Sequence, residues 1–258
     1  MKKMSKNKIV ALSLALAMSL TLLAGCAERQ VTSEPETTPG TSAIVEETRP
    51  TDSEQSNEPA KGTQESASHL EKADINLGNG LFITDIGGYT GVYMEDGSDE
   101  LVSGVLMLVV NNTGDSAVQY AEIELSAGNQ AGLFTLSTLP AGESVVLLEK
   151  NRMIFDDTAN YSTAVMKNVV MFTETLSLME DKLKLQVLDG AINVTNTSEK
   201  NISGDIVIYY KNSAADLYYG GITYRVRIEG GLAAGEIRQV MGNHLSQTGS
   251  AIMFVTIG

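Results

Sequence analysis

The chain has 258 residues, a formal net charge of −14, no tryptophan and a single cysteine. A surface that acidic repels phosphate backbones and anionic headgroups, which excludes nucleic acid as a partner. One cysteine cannot form an internal disulfide, so whatever folds must rest on an apolar core.

Residues 1–25 open with Lys2, Lys3, Lys6 and Lys8 and continue as an apolar run from Ile9 to Leu23. That run falls short of the ~20 residues a spanning helix needs, and a basic segment ahead of it is the pattern of a secretory signal. It ends Leu23-Ala24-Gly25-Cys26, which resembles the lipobox of bacterial lipoproteins. The resemblance implies that Cys26 carries a diacylglyceryl group, becomes the mature N-terminus and holds the chain on the outside of the cell membrane. Two or three acyl chains, at ~0.8 kcal/mol per buried methylene, make a stable anchor. Losing the four leader lysines takes the net charge from −14 to −18.

Residues 26–73 are rich in Glu, Ser, Thr and Pro and carry almost no apolar periodicity. Such a stretch cannot bury enough surface to offset its ordering entropy, so the expectation is a disordered acidic tether. Folded sequence is expected from Asp74. The glycines between Gly78 and Gly91 precede no Gly-Lys-Ser/Thr and no amphipathic helix, so they indicate turns and bulges, not a phosphate cradle. Residues 95–100, Glu-Asp-Gly-Ser-Asp-Glu, lack the spacing of a calcium loop and read as a solvated acidic turn.

From Leu101 onward apolar residues recur at every second position, with turns rich in Gly and Asn every eight to twelve residues. Ala121, Ile123 and Leu125 alternate with Glu122 and Glu124, and Leu183, Leu185 and Val187 alternate with Lys184 and Gln186. Period-2 patterning of this kind indicates an all-β, antiparallel fold. The expected organisation is two tandem immunoglobulin-like β-sandwich domains, at residues 74–156 and 157–258, since each stretch has the size of one such sandwich. The second unit is expected to open with a strand at 164–172.

One stretch occurs twice. Residues 110–143 run from the turn Asn112-Thr113 to the turn Ala141-Gly142-Glu143, and residues 194–236 run from Asn196-Thr197 to Ala234-Gly235-Glu236. The second copy is nine residues longer, around 212–221. Carrying the phase of the first copy onto the second places Ile206, Ile208 and Tyr210 on the outer face, where the first copy has acids. Apolar residues on an outer face mark a contact surface. The longer hairpin adds Tyr218 and Tyr219, whose flat rings suit a sugar or a protein interface. The plainer alternative is that these side chains pack on the first unit or on the hairpin itself.

The strings Val194-Thr195-Asn196-Thr197, Val207-Ile208-Tyr209-Tyr210 and Leu232-Ala233-Ala234-Gly235-Glu236 resemble the FxLYD and CARDB type of bacterial immunoglobulin-like domains. So do Val110-Asn111-Asn112-Thr113 and Leu139-Pro140-Ala141-Gly142-Glu143 in the first copy. The resemblance implies an exported immunoglobulin-like fold and carries over no functional residue.

His69 and His244 are the two histidines, and neither stands in a nucleophile-elbow or zinc motif. The expectation is a non-enzyme with no catalytic residues, metal or other cofactor. Its partners would be the membrane, through Cys26, and an envelope protein docked at Ile206, Ile208 and Tyr210. The alternative is a glycan or small ligand bound by Tyr218 and Tyr219.

Overall fold

The computed structural model describes residues 66–215 and 217–258. The leader, Cys26 and residues 26–65 of the expected tether lie outside them. Regular structure among the described residues is all β. The strands are β1 (Ser66–Gly78), β2 (Leu81–Val92), β3 (Leu101–Asn112), β4 (Val118–Ala127), β5 (Gln130–Leu139), β6 (Ser144–Leu148) and β7 (Ala164–Met171). There follow β8 (Leu183–Leu188), β9 (Ala191–Asn196), β10 (Ile206–Ala214), β11 (Leu217–Ile228), β12 (Ile237–Met241) and β13 (Ser250–Ile257).

They form a seven-stranded sheet in the order β1-β2-β3-β6-β11-β10-β13 and two three-stranded sheets, β5-β4-β7 and β12-β9-β8. Every pairing is antiparallel except β6 with β11. The first core lies where Leu81, Ile83, Leu106, Leu108, Val145 and Leu147 meet Ile123, Leu125, Phe134 and Leu136 of the β5-β4-β7 sheet. The second lies where Ile206, Ile208, Tyr210, Val226 and Val255 meet Leu183, Ile192 and Val194 of the β12-β9-β8 sheet.

The twofold stretch is a structural repeat. β3 pairs with β2 and β6 as β9 pairs with β8 and β12, and β4 pairs with β5 and β7 as β10 pairs with β11 and β13. Asn112 and Asn196 end equivalent strands and are wholly buried. The glycine of each matching turn donates back to the asparagine carbonyl, Gly142 N to Asn112 O and Gly235 N to Asn196 O.

Three expectations change. β1 begins at Ser66, eight residues before the expected start, because an edge strand is held by its main-chain ladder with β2 and needs few apolar side chains. β7, expected to open the second unit, pairs with β4 of the first half. The 95–100 turn is more than a solvated loop: it follows Tyr93 and Met94, which turn inward onto a third apolar cluster with Tyr89, Val105, Met107, Val146 and Leu148.

Candidate functional site

The five residues singled out as a binding surface are all taken up in packing. Ile206 and Ile208 are fully buried and Tyr210 nearly so, in the second core. The cause is one residue. Val118 and Ile202 hold equivalent bridges, to Leu139 and Leu232. From there two residues lead to Ala121 in the first copy, but three, Ser203-Gly204-Asp205, lead to Ile206 in the second. A slip of one residue exchanges the two faces of a strand. Val207 and Tyr209 therefore face outward, and Tyr209 stacks on Phe254 at 4.1 Å with Phe172 edge-on to the same ring.

Tyr218 and Tyr219 pair with Val145 and Val146 in the parallel ladder between β11 and β6. The Tyr218 ring packs on the first core and the Tyr219 ring on the third cluster. The hairpin that holds the other eight added residues thus forms the seam that joins the two halves.

That seam is closed by polar groups from the 93–100 loop. The Glu95 carboxylate accepts from Leu148 N and Gly221 N, and the Lys211 ammonium, fully buried on β10, donates to Gly220 O and Ile222 O. Desolvation pushes the Glu95 carboxyl up to about 7, and desolvation holds the Lys211 ammonium down to about 7 against the pull of Glu95. Asp99 reaches His244 at 3.2 Å, and Tyr224 stacks on that imidazole. Arg152 ties Asp96 and Glu100 and lies over the Tyr93 ring. His244 is thus part of the clasp. No group of three or more His, Cys, Asp or Glu side chains among the described residues could hold a metal ion.

An open feature lies elsewhere, at the β8 edge. β8 pairs with β9 on one side, and no described strand pairs with the other. Its residues alternate as the sequence suggests, with Lys184 and Gln186 exposed and Leu183, Leu185 and Val187 turned to the core. Thr197 N donates to Lys182 O, which sets the ladder so that even-numbered residues of β8 bond β9. The N–H and C=O groups of Leu185 and Val187 therefore point away from the sheet. Beside them opens a cleft of about 460 Å³ lined by Leu178, Leu183, Leu185, Val187 and Ile252, with Glu180, Lys184 and Thr197 at its polar margin. The sequence marks β8 as a strand but not as an edge, because the missing neighbour leaves no trace in β8 itself. Comparison with protein-family models, with curated proteins and with solved structures finds no match.

Proposed function

We propose that this chain is a non-catalytic, lipid-anchored protein of the bacterial envelope, built as two tandem immunoglobulin-like β-sandwiches and serving as a protein-interaction module. The repeat supports the fold, since a three-stranded sheet packs against the large sheet in each half and the same buried asparagine ends the same strand. The observation that carries the interaction reading is the unpaired edge of β8 over an apolar cleft. β1, the strand nearest the anchor in the chain, and β13, whose Ile252 lines the cleft, are the two outer strands of the seven-stranded sheet. The cleft is thus held at the far edge of the sheet from β1. The glycan alternative rested on Tyr218 and Tyr219, whose rings pack on two apolar clusters, and it keeps no support there.

Two measurements test the proposal in the producing cell. Metabolic labelling with an alkyne fatty acid should mark the native chain and retain it in the membrane fraction, and Cys26→Ala should lose both. A photo-crosslinking residue replacing Gln186, exposed on β8, should give a discrete protein adduct that the same residue at Gln119, exposed on β4, does not. Retention without Cys26, or equal adducts at both positions, would overturn it.

A further inference from the structure

Resting on that interaction reading, we infer that β8 takes up an extended segment of a partner protein as an added antiparallel strand, with apolar side chains at alternate positions and an acidic residue opposite Lys184. The first half shows the equivalent edge occupied. Register makes β2 the counterpart of β8. Leu81 and Leu183 lie opposite the paired asparagines Asn112 and Asn196, Ile83 and Leu185 opposite Val110 and Val194, and Ile86 and Val187 opposite Leu108 and Ile192. Ile83 and Ile86 are 0% and 3% exposed, whereas Leu185 and Val187 remain half-buried.

The difference is β1. It pairs along β2 and turns Ala73, Ile75 and Leu77 onto the first core while Asp74 and Asn76 stay exposed. No described strand does this for β8. The residues leading into β8 cap only its first residue, where Met179 O accepts from Leu183 N; before that, Ser177 O accepts from Val255 N on β13 and Leu178 lines the cleft. What is left, at Leu185 and Val187, is a main-chain edge whose donors and acceptors meet no partner among the described residues, above a groove for alternate side chains. Those are the two requirements of strand addition, in which the ladder supplies affinity and the pockets supply specificity.

Charge narrows the occupant further. In the first half Lys72 on β1 pairs across the ladder with Asp85 on β2 at 2.7 Å. On β8 the cation is on the receiving strand. Lys184 stands where β2 has Phe82, the residue opposite Asn76 of β1, and it makes no ion pair among the described residues. An acid at the Asn76 position of the incoming strand would meet it. Lys184 is exposed while Leu185 and Val187 turn to the core, so that acid belongs on the outer face with Lys184 and not in the groove.

The probe is a synthetic peptide with the sequence of residues 70–78 carrying Asn76→Asp, added to the full chain made soluble by Cys26→Ala. Binding should slow amide exchange at Leu185 and Val187, and the further peptide change Ile75→Asp should weaken it about tenfold or more. Two N-methylated peptides, one blocked at positions 74 and 76 and the other at 75 and 77, should differ, because only one set of N–H groups faces β8. Binding that survives both blocks, or no binding at millimolar peptide, would overturn the inference. So would a dimer that protects β8 without peptide, since it would assign the edge to a second copy. Protein adducts at Gln186 in cells together with no peptide binding would sink strand addition and leave the interaction reading standing.

Discussion

A buried side-chain amide that donates to carbonyls on separate segments holds those segments at a fixed distance. Asn112 Nδ2 lies 2.9, 3.1 and 3.1 Å from Ser116 O, Leu139 O and Pro140 O, and Asn196 Nδ2 lies 2.8, 3.2 and 3.0 Å from Lys200 O, Leu232 O and Ala233 O. Two N–H donors are shared among three acceptors in each case, and nothing else could satisfy them at no exposure to water. Asn196→Ala should therefore lower stability by about 2–4 kcal/mol, read from the urea midpoint. Asn196→Asp keeps the shape but cannot donate, so it should lose at least as much; a harmless Asp variant would show that the amide is not the tie. Glycines separate by what surrounds them. A Cβ on Gly221 would lie 1.9 Å from Thr135 O and 2.9 Å from Glu95 Oε2, so Gly221→Ala forces β11 off its neighbours and should cost about 3 kcal/mol. Gly235 has open space and a φ of +73°, so Gly235→Ala should cost only about 1 kcal/mol. Equal losses at the two positions would mean that the seam is loosely packed.

The 93–100 loop and β10 meet through Glu95 and Lys211, and the two groups pull the pH dependence of the seam in opposite directions. A carboxyl held at about 7 against an ordinary 4.5 contributes stability that is present below pH 4.5 and lost as pH rises through 7. An ammonium held at about 7 against 10.5 contributes stability that is present above pH 10.5 and lost as pH falls through 7. Their sum is a dip near neutral pH. The double variant Glu95→Gln, Lys211→Met should flatten that dip in urea midpoints measured across the range. Glu95→Gln or Lys211→Met alone should destabilise more than the pair together, because each strands the other group in the seam. A dip that persists in the double variant would place its cause elsewhere. Alternation and turn residues made several strands legible: Leu183–Leu188 and Val118–Ala127 lie where period 2 and the Asn and Gly turns put them. The face that β10 presents was not legible, since the extra residue between Ile202 and Ile206 sits in a turn where alternation has no phase to carry. Nor was the burial of Glu95, an acid in a run of acids. The Gly221 N–H that fixes it lies 126 residues further along the chain. Edge strands behaved likewise, because β1 is specified by its partner more than by its own side chains.

On the scale of the molecule, the described residues belong to one compact unit in which two similar halves share a sheet. Tandem sandwiches joined by a linker would unfold separately, each on its own core. Here the added hairpin carries β11 from the second half onto β6 of the first, and Ser137 of β5 bonds Gly221 O and Thr223 Oγ1 across the same seam. The half-buried Tyr218 ring is a side chain of one half packed against the core of the other. Loss of either half therefore exposes apolar surface on the survivor and strands the Lys211 ammonium or the Glu95 carboxylate. The expected result in calorimetry is one transition whose van't Hoff enthalpy equals the calorimetric enthalpy. Tyr218→Ala strips a ring from the margin of the first core and weakens the seam from a residue of the second half, at about 2–3 kcal/mol for a half-buried aromatic. It should broaden the transition or split it in two, with the first half, which loses the ring from the margin of its core, melting first. Two transitions in the native chain would show that the shared sheet is only an abutment. A single, merely shifted transition in Tyr218→Ala would place the coupling in the polar clasp of Glu95, Asp99 and Lys211 instead of in the hairpin's rings.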